Sequence, residues 1–395
     1  MPHTQTLAPL IDLTRDFDAA LVPLRRHLHA HPELGFEEHE TAAFIEANLE
    51  ALGLHPRRVA GTGVIADVVG ALPGPTVAYR ADIDALPIQD AKRDVPYAST
   101  RPGVAHLCGH DAHTAVGLGV ARRLVEARGR LRGTVRVFFQ PNEEGTPSGA
   151  PRMIEAGVLD GVTAVYGIHV DPTLDAGRYG LIEGPVTASC DRFDAVVRGP
   201  STVHSARPHL GVDTVWLATA FAQHLYTLAG RVTDARLPAV LTACRFEAGE
   251  AYNVIPQTVR FGGTLRCLDA STRAEMHAAM DAAAAGFAAM HGADVRVDFH
   301  DGAPPVINDA ALFEYAVGAI TEARGADALH VFTLPSMGAE DFAYYTERVP
   351  GLFVRVGTRS SARTAHPVHD ALFDLDETAL GPAARLMADL VMGRG

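Results

Sequence analysis

The chain has 395 residues, of which 34 are lysine or arginine and 47 are aspartate or glutamate, so its formal net charge is −13. This length exceeds the roughly 250–300 residues at which a single hydrophobic core stops growing, and it therefore predicts two domains. The acidic balance argues against nucleic acid or an anionic membrane as a partner, because both favour a basic surface. The longest nearly apolar run, residues 282–290, is far shorter than the ~20 residues that a membrane span needs.

The N-terminal sequence and the cysteines favour a cytoplasmic protein. The N-terminus shows no basic segment followed by an apolar one, so we expect no secretory signal. The cysteines are scattered along the chain and do not resemble a disulfide framework. They are Cys108, Cys190, Cys244 and Cys267.

In chain order, the first part of the sequence alternates helix and strand patterns. Helical apolar spacing predicts helices over residues 21–29, 38–52 and 113–127. Short runs of Val, Ile and Ala predict strands over residues 63–69, 76–80, 134–140 and 162–170. This alternation predicts an α/β domain in which helices flank a mostly parallel sheet.

From residue 185 the pattern changes to that of a smaller α+β domain. Strands are predicted over 191–198, 239–248, 257–268 and 294–301, and helices over 213–229 and 271–290. The resulting β-α-β-β-α-β order is that of a ferredoxin-like unit. We therefore expect an insertion, residues 185–301, within a catalytic domain formed by residues 1–184 and 302–395, the last helix covering 377–392.

Side chains that bind metals are concentrated in five segments, most of them at predicted strand ends. They are Asp82 and Asp84; Cys108, His110, Asp111 and His113; Glu143 and Glu144; His169; and His366 and His369. Ligand sites in open α/β sheets lie beyond the carboxyl ends of the strands, so we expect these side chains to converge.

Each segment alone also has a structural explanation. Cys108 and His110 suit zinc, but a buried structural cysteine beside a surface histidine explains the pattern about as often. The adjacent Glu143 and Glu144 carry more weight, because two carboxylates near an apolar strand end need a nearby positive charge unless they lie in a solvated loop. His169 alone is typical of a hydrogen-bonded core histidine. The combination favours a metal centre.

Five protein ligands exceed what one tetrahedral zinc takes, but they suit two metal ions about 3.5–4 Å apart. Such a site lowers the pKa of a bound water molecule. One glutamate of the pair would then bind metal, and the other would transfer a proton from the water to the leaving amine. Spacing alone does not order the two carboxylates.

Eight segments occur in an order that carries a resemblance to a known family. They are HPELGFEEHET, YRADIDALP, HLCGHDAHTA, FFQPNEEG, YGIHV, GEAYNVIP, MGAEDFAYY and HPVHDALFDLDE. They resemble the amidohydrolase branch of the aminoacylase/carboxypeptidase metallopeptidases, which includes hippurate hydrolases, N-acyl-amino-acid amidohydrolases and plant indole-acetyl-amino-acid hydrolases. The resemblance covers residues 21–390 and implies a two-domain fold, a dinuclear metal site and cleavage of an amide next to an amino acid.

The resemblance also implies roles for individual residues. It assigns two divalent ions per subunit (Zn, Mn, Co or Ni) to Cys108, His110, Glu144, His169 and His369. It makes Glu143 the proton carrier and Asp84 the residue that orients a metal-binding histidine. His369 is preferred to His366 because the family ligand precedes a phenylalanine, here Phe373, by four residues. Asp82 stays outside the ligand set.

Within the insertion, His204 resembles the histidine that polarises the scissile carbonyl, often across a dimer. The run GPSTVH departs from the usual glycine-rich pattern, so a surface-loop histidine is the alternative. Asn253 and Arg266 match positions near the carboxylate of the substrate, although Arg266 also suits a structural ion pair. A second departure is Asn142, where many relatives have alanine. The resemblance further implies a homodimer through the insertion, or a higher homo-oligomer.

The expected activity is metal-dependent hydrolysis of an N-acyl amino acid to a carboxylic acid and a free amino acid. The alternatives are a carboxypeptidase or dipeptidase, a catalytically inactive relative that binds a ligand, and a single-metal hydrolase. Glu340 and Asp341 of MGAEDF lie in a predicted loop and receive no role.

Overall fold

The computed structural model describes residues 10–11, 16–300 and 302–393. The end of the predicted strand 294–301 and the outer limits of the predicted domains therefore lie outside the described residues. The helices are α1 Phe17–Ala30, α2 His39–Ala51, α3 His110–Glu126, α4 Gly149–Glu155, α5 Thr214–Leu228, α6 Ala270–His291, α7 Ala310–Arg324, α8 Ala343–Thr346 and α9 Leu380–Met392.

The strands follow the same chain order. They are β1 Arg57–Val59, β2 Gly63–Val69, β3 Leu72–Asp82, β4 Arg132–Gln140, β5 Val162–Asp175, β6 Tyr179–Leu181, β7 Gly184–Pro185, β8 Asp191–Arg198, β9 Val203–His204, β10 Ala239–Glu247, β11 Val254–Ile255, β12 Thr258–Cys267, β13 Asp294–His300, β14 Ile307–Asn308, β15 Leu329–Val331 and β16 Gly351–Arg359.

The chain divides into two compact units. The first unit consists of Met1–Gly184, Ile307–Leu334 and Tyr344–Gly395, and the second of Pro185–Val306 and Pro335–Ala343.

The first unit is built on a large mixed sheet, which among the described residues has the order β1-β2-β4-β3-β5-β16-β6-β15. Its central strands β4, β3, β5 and β16 are parallel to one another, whereas the pairs β1–β2, β2–β4 and β16–β6 are antiparallel. The predicted α/β class with a mostly parallel sheet and flanking helices is confirmed. Because parallel strands end at a common edge, the residues that follow them meet there.

Helices bury the apolar strands of this sheet. The second half of β3 is buried at nearly every position, as expected for a strand covered on both faces. Helices α1, α3 and α9 pack closely because α3 carries Gly119 where they meet. A Cβ atom on Gly119 would lie 2.9 Å from Leu21 Cδ1 and 2.8 Å from Ala384 Cβ.

The second unit contains an antiparallel sheet with the order β10-β12-β8-β13. Helices α5 and α6 cover one side of it, and the apolar core between them includes Phe193, Phe221 and Phe261. Strand β10 is an edge strand, because the described residues place no further strand beside it. In the described part of the chain, no helix combines the length and the apolar character needed to cross a membrane.

Candidate metal centre

The candidate ligands of the first unit come from loops next to its sheet and, in the case of His169, from a strand. Glu143 and Glu144 follow β4, and Cys108 immediately precedes α3, whose first residue is His110. Gly109 joins the latter two with a φ of 91°, and a Cβ atom there would lie 2.3 Å from Val170 Cγ2. Only glycine meets both conditions without strain, so Gly109 lets the thiol and the imidazole approach the same point.

The predicted strand 162–170 would place His169 near its end, but in the structure His169 lies within a longer strand. Strand β5 continues to Asp175, paired with β16. Its neighbour β3 pairs with it only as far as Gly167, so His169 lies where β5 extends past the end of that pairing. The side chain therefore reaches the strand-end region from within a strand.

Potential ligand atoms fall into overlapping groups in which all the atoms lie within 4.8 Å of one another. One group is Cys108, His110 and His169, and another is Cys108, Glu144 and His369. Cys108 belongs to both groups. A thiolate shared between two three-ligand groups is the arrangement expected of a dinuclear site.

The imidazoles of His110 and His169 turn their Nε2 atoms toward this cluster. His110 Nδ1 lies 3.1 Å from Asp84 Oδ1 and 2.9 Å from the Asp84 carbonyl oxygen. These acceptors keep the proton on Nδ1, and the buried Nε2 has no hydrogen-bond partner. His169 Nδ1 likewise donates to the Val170 carbonyl at 2.7 Å, which leaves its Nε2 lone pair 3.3 Å from Cys108 Sγ. An unpartnered buried nitrogen beside a thiol and a carboxylate fits a divalent cation.

The second group is held together by short contacts. His369 Nε2 lies 3.0 Å from Glu144 Oε1, and the His369 backbone N–H donates to Leu107 O at 2.7 Å. Hydrogen bonds with Cys108 and Glu144 raise the pKa of His369 to about 10. Burial raises the pKa of the Cys108 thiol. Protons shared between ligand atoms in this way are what a bound cation displaces.

Asp82 and His113 support the cluster. Asp82 Oδ1 accepts a hydrogen bond from His113 Nδ1 at 2.6 Å, and its Oδ2 accepts one from Arg80 at 2.7 Å. His113 Nε2 accepts the Val170 N–H at 2.9 Å, so both ring nitrogens are engaged. The carboxylate and the imidazole together fasten the strand that carries His169. Asp82, His110 and His113 also form a group of possible ligand atoms, but the Asp82 oxygens already accept these hydrogen bonds.

A buried arginine braces the segments that carry His110 and His369. Arg25 donates to Asp111 Oδ2 at 2.8 Å and to Asp374 Oδ1 at 2.9 Å. Asp111 directly follows His110, and Asp374 follows His369 by five residues. Although burial alone would raise the pKa of Asp111, the Arg25 charge holds that pKa well below its usual range.

The remaining candidate residues lie in the second unit. Strand β9, which ends in His204, pairs with β11, and Ser205 N–H donates to Asn253 O at 3.0 Å, so His204 and Asn253 are neighbours. His204 Nδ1 accepts the Ala206 N–H at 3.1 Å, so the neutral ring carries its proton on the exposed Nε2. Arg266 lies on β12 and donates to the Met337 carbonyl at 2.9 Å.

Sequence reasoning named His113 only among the possible metal-binding side chains, and it assigned no role to Arg25 or Arg80. The CGHDAH segment does contain His113, so its position near the ligands was a usable signal. Arg80 lies in the quoted segment YRADIDALP, two residues before Asp82, so it too had a usable signal, whereas Arg25 lies in an ordinary helix pattern.

Comparison with known proteins yields one family and several relatives. The model of the peptidase family M20/M25/M40 matches residues 78–393. The chain is 41% identical over 362 residues to an N-acetyl-L-cysteine deacetylase of Bacillus subtilis, covering 91% of this chain and 84% of the relative. It is also 41% identical over 289 residues to an N-acyl-L-amino acid amidohydrolase of Geobacillus stearothermophilus, covering 73% and 78%.

A solved structure has the same fold. It is a Bacillus subtilis protein described as a dinuclear metal-binding peptidase of the M20 family, with a TM-score of 0.82 and 37% identity. The match covers 95% of this chain and 98% of that one.

The bracing by Arg25 leads to a prediction about two adjacent arginines. In an Arg25→Met variant, Asp111 and Asp374 lose their buried counter-charge, so we expect the free energy of unfolding to fall by ~3–5 kcal/mol. Arg26→Met is the matched control, because Arg26 pairs with Glu377 but is substantially exposed, and its loss should cost less than ~1 kcal/mol. Urea unfolding of both variants measures the difference, and equal losses would contradict the bracing role.

Proposed function

This chain belongs to the peptidase family M20/M25/M40, and we propose that it hydrolyses N-acyl amino acids to a carboxylic acid and a free amino acid. The observation that carries the proposal is the pair of overlapping ligand groups that share Cys108, with Glu143 beside them. The relatives support the same chemistry, since two of them are named as a deacetylase and an amidohydrolase of N-acylated amino acids.

Two divalent ions fit the donor set. In this proposal Cys108, His110 and His169 would hold one ion, and Cys108, Glu144 and His369 would hold the other. Zn, Mn, Co and Ni all accept such mixtures of sulfur, nitrogen and oxygen ligands. When bound, the ions supply Lewis acidity toward a carbonyl oxygen and a water molecule.

In the proposed reaction, Glu143 transfers the proton from the water molecule to the leaving amine. Its Oε2 lies 4.0 Å from His110 Nε2, at the border of the ligand cluster, and its side chain is partly exposed. The carboxylate accepts a proton from the attacking water and returns it to the amine nitrogen as the amide C–N bond breaks. Glu144, by contrast, faces His369 at 3.0 Å and serves as a ligand.

Substrate recognition falls to residues of the second unit. The exposed Nε2–H of His204 is suited to donate a hydrogen bond to the developing oxyanion. Asn253, beside it, is suited to bind the substrate carboxylate. Arg266 is assigned to the same carboxylate, with the N–H groups that do not bond Met337.

A second candidate function is peptide hydrolysis, because the solved Bacillus subtilis relative is described as a peptidase. An N-acyl amino acid and a dipeptide differ next to the scissile bond, where the dipeptide carries an ammonium group.

A substrate panel separates these two activities. We expect protein loaded with Zn, Mn, Co or Ni to release amino acids from N-acetyl and N-benzoyl amino acids, with higher kcat/KM than for matched dipeptides. Amino-acid release is measured by chromatography before and after chelation, and chelation should abolish it. Faster turnover of dipeptides would favour the peptidase, and no turnover of any amide would refute the proposed function.

Adjacent glutamates provide a test of the assigned roles. Glu143→Gln removes the proton acceptor and should lower kcat by about 10²–10⁴-fold while both metal ions stay bound. Glu144→Gln removes a ligand and should lower the metal content from about two ions to about one per chain. Metal content and kcat are measured on both variants. Loss of a metal ion from Glu143→Gln, with full metal content in Glu144→Gln, would exchange the two roles.

We also propose that the second unit is a lid and dimerisation domain, and that the protein is a cytoplasmic homodimer. The location is supported by the cysteines, all of which are free thiols. Dimerisation is supported by the edge strand β10, on which Val240 is 45% and Phe246 44% exposed. An edge strand with exposed apolar side chains is suited to pair with a second copy of itself.

A charge on this edge should prevent pairing. We expect the wild type to sediment as a dimer and Val240→Lys to sediment as a monomer, because a lysine on each strand repels its counterpart. Met290→Lys is the control, since Met290 is equally apolar and 77% exposed but lies in α6. Sedimentation velocity measures the mass of each variant, and a dimeric Val240→Lys protein would contradict pairing through β10.

A further inference from the structure

The loop between β4 and α4 carries both Glu143 and Glu144, and Asn142 stands immediately before them. Asn142 is 7% exposed and has a φ of 50°, in the left-handed region. Asparagine is several-fold enriched there among non-glycine residues, because its short polar side chain forms local hydrogen bonds. The backbone thus turns sharply at the residue that precedes the proposed proton carrier.

Three hydrogen bonds of Asn142 close this loop and anchor it. Its side-chain amide donates to Pro147 O at 2.7 Å, and its carbonyl oxygen accepts the Gly149 N–H at 2.9 Å. Its own N–H donates to Glu38 Oε1 at 2.9 Å. The first two bonds join the start of the loop to its end, and the third ties it to the start of α2.

Glu38, which accepts the Asn142 N–H, is itself held in place. Glu38 is fully buried, and its Oε2 accepts a hydrogen bond from the Thr62 hydroxyl at 2.6 Å. Burial raises the pKa of Glu38 to about 7.

The Asn142 side chain fills a slot lined by glycines. A Cβ atom on Gly35 would lie 1.7 Å from Asn142 Oδ1, and one on Gly145 would lie 2.1 Å from it. The two glycines therefore leave room for the Asn142 amide. An alanine at position 142 would leave this slot empty and could not donate the hydrogen bond to Pro147. Next along the loop, the Glu144 N–H donates to Asp84 Oδ2 at 3.0 Å. Glu143 therefore lies between two residues whose backbones are held by hydrogen bonds, Asn142 and Glu144.

We propose that Asn142 is a positioning residue, whose side-chain amide sets the direction of the Glu143 carboxylate without contributing to metal binding. The inference rests on the proposed function, because it requires Glu143 to transfer a proton. A displacement of about 1 Å in a reacting group lowers a rate by as much as 10²-fold, so the effect belongs in kcat.

The test compares Asn142→Ala with Asn142→Gly. Both variants lose the bond to Pro147, but glycine accepts the left-handed backbone without strain and alanine does not. We expect kcat to fall about tenfold to a hundredfold in both, with KM within about twofold of wild type and the metal content unchanged. Kinetics on an N-acyl amino acid and metal analysis on the same preparations measure all three quantities.

Asn48→Ala is the matched control. Asn48 is also a buried asparagine bonded to the backbone, accepting N–H groups of Leu10 and Ile11 and donating to Phe44 O at 2.7 Å. Its loss should lower the thermal stability and leave kcat unchanged. An equal fall of kcat in this variant would assign the effect of Asn142 to stability alone and overturn the proposal.

The other outcomes are equally decisive. Wild-type kcat in Asn142→Gly would show that only the backbone conformation matters, and loss of a metal ion in either variant would show that Asn142 acts through Glu144; each overturns the inference. An active wild type with unchanged Asn142 variants overturns this inference alone. An inactive wild type overturns the proposed function together with it.

Discussion

The structure depends on gathering polar side chains at one edge of a parallel sheet, where water is largely excluded. Taking charged groups out of water costs several kcal/mol each unless every one is compensated. In the first unit the supporting carboxylates have arginine partners: Asp82 has Arg80, and Asp111 has Arg25. The ligand groups consist instead of imidazoles, a thiol and a carboxylate that crowd one another, which is the arrangement that cations stabilise.

Hydrogen-bond partners also distinguish the supporting residues from the proposed ligands. Asp82 and His113 satisfy each other and bond to Arg80 and the Val170 N–H, so they hold a strand in place. His110 and Asp84 behave differently, because Asp84 occupies only Nδ1 and leaves Nε2 for a ligand role. Residue type alone does not distinguish these histidines; the partner of each ring nitrogen does.

The same principle extends to the catalytic loop. Glu144 is tied to Asp84 through its backbone, while Asn142 is tied to Glu38 and to the far end of the loop. Because the residues on both sides of Glu143 are attached, the backbone of Glu143 has less freedom than it would have with one attached neighbour. In the proposed mechanism, the position of the Glu143 carboxylate therefore depends on backbone attachments of its neighbours in the loop.

Local pattern was enough for the class of fold and for the prediction of a candidate metal centre. Apolar periodicity and glycine or proline punctuation predicted the alternation of helices and strands, and the cluster of Cys, His and Glu residues near strand ends predicted a metal centre. These features are local, since they depend on neighbours within a few residues along the chain. The family resemblance was confirmed by the match to residues 78–393.

Contacts between distant segments were beyond that reasoning. Arg25 meets Asp374 across 349 positions of sequence, and Asn142 meets Glu38 across 104. The length of β5 past His169 likewise depends on β16, almost two hundred positions later. Packing brings such pairs together, and no local pattern records which buried carboxylate a given arginine will neutralise, because that choice is made by the geometry of the assembled core.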